Sequence, residues 1–139
     1  MMIGVVIYTL MGRVTKRTKI KKGGKTHMSK SDVKQNALCK SLGPEYKIMY
    51  IDGERCIYRD FHNGFDVEIS GTHTTSDSKT ANIYLWYMPE KMTVKRVGDV
   101  KQSDISKVVD ELYKFSQELL HKGITDRKAL WEIRQTQST

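Results

Sequence analysis

The chain has 139 residues, 38% of them hydrophobic and 29% charged, with a formal charge of +8. That length suits one domain with a sizeable core, and ten glycines and two prolines exclude collagen-like and proline-rich classes. The longest apolar run, Met1 to Met11, is broken by Gly4 and Thr9 and falls short of the roughly 20 residues that span a bilayer, so no membrane partner is expected.

The charge is unevenly placed. Residues 1–27 hold Arg13, Lys16, Arg17, Lys19, Lys21, Lys22 and Lys25 and no acid, a local charge of +7 that leaves residues 28–139 at +1. One reading makes 13–27 a basic arm on a Gly23-Gly24 hinge. Such an arm neutralises phosphates, and with no aromatic residue to stack on bases it would bind nucleic acid without regard to sequence. The other reading makes 1–27 non-native upstream translation. Lys21-Lys22-Gly23-Gly24 is encoded by AAR-AAR-GGN-GGN, which can spell a ribosome-binding AAGGAGG, and three codons then precede Met28. Lysine outnumbers arginine 17 to 7, as in AT-rich bacterial or phage coding sequence. The expectation is a start at Met28 and a single domain over 28–139.

The predicted elements follow in chain order. Ser31 and Asp32 open a helix over about 32–42, whose apolar positions Val33, Ala37, Leu38 and Leu42 recur at helical spacing. Gly43-Pro44 ends it. Residues 46–51 form a strand that is apolar on both faces, and Asp52-Gly53 marks a hairpin because both positions tolerate positive φ. The return strand covers 55–61, with Ile57 and Phe61 on one side and Cys56, Tyr58 and Asp60 on the other. Asn63-Gly64 marks a second hairpin. Phe65, Val67 and Ile69 alternate with Asp66, Glu68 and Ser70, which reads as one buried and one wet face. Residues 71–80 read as a polar, mobile loop. A central strand covers 81–88 and stops at Pro89. A lysine-bearing edge strand covers 93–97. Ser103 caps a long helix over 104–122, with a stripe of Ile105, Val108, Val109, Leu112, Phe115, Leu119 and Leu120 and a C-terminal Gly123. A last helix over 126–135 has thin apolar content and is expected to dock weakly.

The sum is an α+β fold: an antiparallel meander of four to five strands, with an N-terminal helix and two C-terminal helices on one face. The order of helix, three strands and long helix also fits a double-stranded-RNA-binding domain. Such domains open the last helix with a basic cluster, and this one opens Ser103-Asp104-Ile105-Ser106, so the match is rejected.

Few constellations carry chemistry. Cys39 and Cys56 lack a CxxC or Cys/His partner set, so they read as reduced, half-buried thiols and not as zinc ligands. Glu68 is followed by Ile69-Ser70, not by the x-Lys of a common nuclease core, so a metal at His62, His73, Asp60, Asp66 and Glu68 is not expected. There is no G-x-S-x-G, and Gly23-Gly24-Lys25-Thr26 lacks the upstream glycine of a phosphate loop. No cofactor is expected. The apolar-then-basic order of the N-terminus reverses that of a signal peptide, which suggests a cytoplasmic protein.

The aromatic residues are more informative. Tyr46, Tyr50, Tyr58, Tyr84, Trp86 and Tyr87 fall in predicted strands, with Arg55, Arg59 and Lys47 among them. Tyr, Trp and Arg are the side chains that dominate protein interfaces. The expectation is a small non-enzymatic bacterial or phage protein, an inhibitor or adaptor, that docks on a protein through Tyr50, Arg55, Tyr58, Arg59, Tyr84 and Trp86. The alternative is nucleic-acid binding by the basic arm together with the aromatic face.

Overall fold

The computed structural model describes residues 28–136. The basic leader, its seven cations and the choice of start at Met28 lie outside the described residues. Three helices and five strands follow one another as α1 (Lys30–Leu42), β1 (Tyr46–Ile51), β2 (Glu54–Asp60), β3 (Phe65–Ser70), β4 (Ala81–Tyr87), β5 (Met92–Val100), α2 (Ile105–His121) and α3 (Arg127–Thr136). The strands pair antiparallel in sequence order, a meander whose connections are short except for the 71–80 loop between β3 and β4. Residues from all three helices join one apolar core on one face of this sheet, so the α+β architecture is the one expected.

Local chemistry explains the turns. Asp52 and Gly53 both have positive φ (52° and 81°), and Ile51 pairs directly with Glu54, which is a two-residue hairpin of the kind favoured by strand twist. In the next connection Asn63 Oδ1 accepts from Phe65 N, while Asn63 Nδ2 donates to Ser116 Oγ and Gln117 Oε1. That side chain therefore shapes its own turn and ties it to α2. At the end of α2, Gly123 N donates to Leu120 O and Ile124 N to Leu119 O, a Schellman arrangement.

Several boundaries differ from the sequence expectation. The N-cap of α1 is Ser29, not Ser31: Ser29 Oγ accepts from Asp32 N, and the Asp32 carboxylate accepts from Ser29 N. This reciprocal box satisfies two donors where a Ser31 cap would satisfy one. A 3₁₀ turn over Gln102–Asp104 leads into α2, so Ser103 lies inside that turn. Asp126, through Oδ2 accepting from Ala129 N, caps α3. β5 runs nine residues and carries two register irregularities, which let a longer strand follow β4 than the 93–97 stretch suggests. α3 docks firmly: Leu130 is wholly buried and Arg127 donates to Glu90 O.

The helix face of the sheet is apolar at its centre. Ile57, Val67, Ile69, Ile83 and Leu85 are completely buried there, beneath Ile105, Val109, Leu112 and Leu119 of α2. Each such side chain contributes about 1.5–3 kcal/mol of burial. α1 differs. Val33 is 55% exposed, and the helix turns Gln35 and Cys39 inward. The reason is polar: Gln35 Nε2 donates to Arg55 O and Thr72 Oγ1, while its Oε1 accepts from Arg55 Nη1. One buried amide thus satisfies β2 and the segment after β3 together. Residues 71–80, expected to be mobile, are tied down. Gly71 N donates to Glu54, His73 Nε2 lies 2.7 Å from Asp32 Oδ1, and Lys34 pairs with Asp77 at 2.6 Å. No described helix is long and apolar enough to cross a membrane.

Candidate functional site

The side chains that alternate away from the helices form a second face. Strand register aligns them in rows, because directly paired residues of an antiparallel sheet share a side. One row crosses all five strands as Lys47, Tyr58, Glu68, Tyr84 and Arg96. The next runs Asp60, Asp66, Trp86 and Thr93. Cations end the first row and sit over its rings: Lys47 Nζ is 5.6 Å from the Tyr58 centroid and the Arg96 guanidinium 6.0 Å from that of Tyr84.

Diagonal hydrogen bonds lace the two rows. Tyr58 Oη donates to Asp66 Oδ2 at 2.7 Å, and Trp86 Nε1 donates to Glu68 Oε1 at 3.0 Å. Tyr58 and Trp86 are therefore each held by a carboxylate on the central strand. Cys56 Sγ lies 3.9 Å from Glu68 Oε2. The alternation of β3 marks Asp66 and Glu68 as solvent-facing. The structure corrects this: Asp66 is only 4% exposed, and Glu68 is half-buried between aromatic neighbours.

Burial sets the electrostatics. Desolvation raises the Asp66 carboxyl to about 7, and the nearby Asp60 and Glu68 charges push the same way, against the Tyr58 hydrogen bond. Burial, with the carboxylates of Glu68, Glu54 and Asp52, also pushes the Cys56 thiol up, so it stays protonated and is a poor nucleophile. Cys39 is raised by burial too, opposed by Arg55. Both cysteines are free thiols. His62 is exposed on a positive-φ turn beside Asp60. Among the described residues, no group of three His, Cys, Asp or Glu side chains is placed to hold a metal.

The six residues expected to form one docking surface are divided between the faces. Tyr58, Tyr84 and Trp86 share the face opposite the helices. Arg55 and Arg59 have the other parity, since Arg59 pairs with the buried Val67. The Arg55 guanidinium donates to Gln35 Oε1 and Asn36 Oδ1 and lies 3.6 Å from Asp32. Arg59 sits over the Tyr46 and Phe61 rings at 5.4 and 5.3 Å. Tyr50 pairs with Arg55 and stands 62% exposed at the end of β1. The expected surface thus reduces to three of its four ring residues, Tyr58, Tyr84 and Trp86, joined by Lys47, Asp66, Glu68 and Arg96.

A second polar cluster, also missed from the sequence, joins α1 to β2 and the 71–80 loop. Burial opposes ionisation of Asp32, yet hydrogen bonds with His73 and Ser29 and the Arg55 charge hold its carboxyl below the ordinary value. A buried Gln35 flanked by Asp32 and Asn36 gives no periodic signal, because its partners lie on other elements. No protein-family model, curated protein or solved structure matches the chain, so residue geometry alone supports the reading that follows.

Proposed function

We propose that this protein is a non-enzymatic docking module that binds a protein partner through the sheet face opposite its helices. The observation that carries this reading is the five-strand row of Lys47, Tyr58, Glu68, Tyr84 and Arg96, with Trp86 beside it. Rings already held by hydrogen bonds lose little freedom on binding, which favours their use as anchors. The face mixes two cations, Lys47 and Arg96, with three carboxyl groups, Asp60, Asp66 and Glu68, which suits a protein surface with both signs of charge better than a polyphosphate. The same reading keeps the chain in the cytoplasm, where thiols such as Cys39 and Cys56 stay reduced. An inhibitor or adaptor role fits a module whose action is binding.

The test is binding of the full chain to a purified partner, found by cross-linking through the sheet face. Trp86→Ala and Tyr84→Ala should each weaken binding about 30-fold, as expected of central anchors. Unchanged affinity in both variants overturns the reading. So does binding to DNA that falls steeply with salt and vanishes when Lys19, Lys21 and Lys22 are neutralised together, which would instead support the nucleic-acid alternative.

A further inference from the structure

The two outer strands of the sheet are built differently. β5 carries two register irregularities against β4, a positive φ at Asp99 (55°), and Lys95 and Arg96; α3 also packs against it. Bulges, charges and a covering helix are the devices that keep a sheet edge from pairing with another chain. β1 has fewer of them: α1 packs beside it, but it has no bulge and no positive φ. It matches β2 over six consecutive pairs without a shift, contains neither glycine nor proline, and bears one charge, Lys47. Among the described residues no strand pairs with its outer side. A groove between α1 and β1, lined by Asn36, Cys39, Lys40, Pro44, Tyr46 and Ile48, runs along that edge.

We propose that the outer edge of β1 is a self-association site, at which a second copy of this chain adds its own β1 antiparallel across a two-fold axis at Ile48. The register follows from symmetry. If both copies keep their helices on the same side of one continuous sheet, directly opposed residues must have the same parity. An axis at Ile48 sets Ile48 against itself, Lys47 against Met49 of the other copy, and Tyr46 against Tyr50 of the other copy. The strand's single charge then meets a thioether, not its like. The exposed Tyr50 lands beside the groove that Tyr46 and Ile48 line, and this happens twice per dimer. An axis at Met49 would instead set Tyr46 against Asp52 of the turn. The same surface thus supplies both the protruding ring and the slot that receives it. This inference is independent of the docking face, because Tyr50 and Ile48 belong to the helix side of the sheet.

The experiment measures the mass of the full chain by light scattering across a concentration series, with circular dichroism to confirm folding. The expected result is a concentration-dependent dimer. Tyr50→Lys, at an exposed position, should weaken it at least about tenfold. Met49→Glu should leave it intact or tighten it, because each new carboxylate faces Lys47 of the other copy. A chain that stays monomeric at every concentration overturns the proposal, whether its β1 amides exchange quickly or are protected within one chain. A dimer indifferent to Tyr50→Lys overturns it by placing the contact elsewhere. Dissociation of a folded Met49→Glu protein overturns it too, since only a Met49-centred register opposes those two carboxylates.

Discussion

The two faces of this sheet share a plan and differ at the centre. Each has a row with a cation near a ring toward both ends: Arg59 over Tyr46 and Lys95 over Phe115 on the helix side, Lys47 over Tyr58 and Arg96 over Tyr84 on the other. Between these ends the helix side places Val67 and Leu85, and the opposite side Glu68 and Tyr84. The first centre is held by burial of apolar surface, which is indifferent to pH. The second is held by hydrogen bonds to carboxylates, which are not. The lesson is that low exposure on one sheet can mean two kinds of stability, one set by volume and the other by protonation.

The largest expected effect tests the apolar centre. Phe65→Ala removes a wholly buried ring that lies 4.7 Å from the Tyr87 ring, centroid to centroid. It should cost about 3–5 kcal/mol in urea denaturation, equally at acid and alkaline pH. A cost that changes with pH would erase the distinction between the faces.

The next effect belongs to the carboxylate face and depends on pH. The Asp66 carboxyl, raised to about 7 from an ordinary 3.8, holds its proton more tightly in the folded chain than in the unfolded one. Raising the pH from about 4 through 7 therefore removes stability, and above that range the full cost of a buried charge is present. Asp66→Asn keeps an acceptor for Tyr58 and cannot ionise. It should exceed the parent by roughly 2–4 kcal/mol at pH 8 and match it near pH 4. Parallel stability curves for parent and variant between those limits would show that Asp66 does not titrate as described.

The smallest effect probes the lacing between rows. Tyr58→Phe deletes a hydrogen bond that lowers the Asp66 carboxyl, so its titration, followed by carboxyl NMR, should move further up. The cost in stability should be about 1 kcal/mol below pH 6 and larger above it, where the carboxylate loses a donor. An unmoved or lower titration point would mean that the hydroxyl is not the partner that matters.

The fold was largely legible because its signals are local. Asp52-Gly53 allows positive φ at two successive positions, Gly123-Ile124 closes the last turn of α2, and the stripe from Ile105 to Leu119 repeats at helical spacing. The site was legible only in part. Tyr58, Tyr84 and Trp86 were visible as strand aromatics, but Arg55 and Arg59 were grouped with them although strand parity turns both toward the helices. Asp66 and Glu68 looked wet because alternation separates two faces without saying how either is covered. Val33 looked buried because it is apolar, yet Gln35 took the inward place by satisfying Arg55 and Thr72, which lie 20 and 37 residues away.

What the amino-acid order settled by itself is the list of elements and their antiparallel sequence. Caps, turns and periodicity act within a few residues and need no distant partner. What only the tertiary structure decided is which polar side chains become buried together. Lys47, Tyr58, Glu68, Tyr84 and Arg96 become neighbours only once four strand registers are fixed, and the proton affinity of Asp66 depends on the desolvation that this assembly imposes.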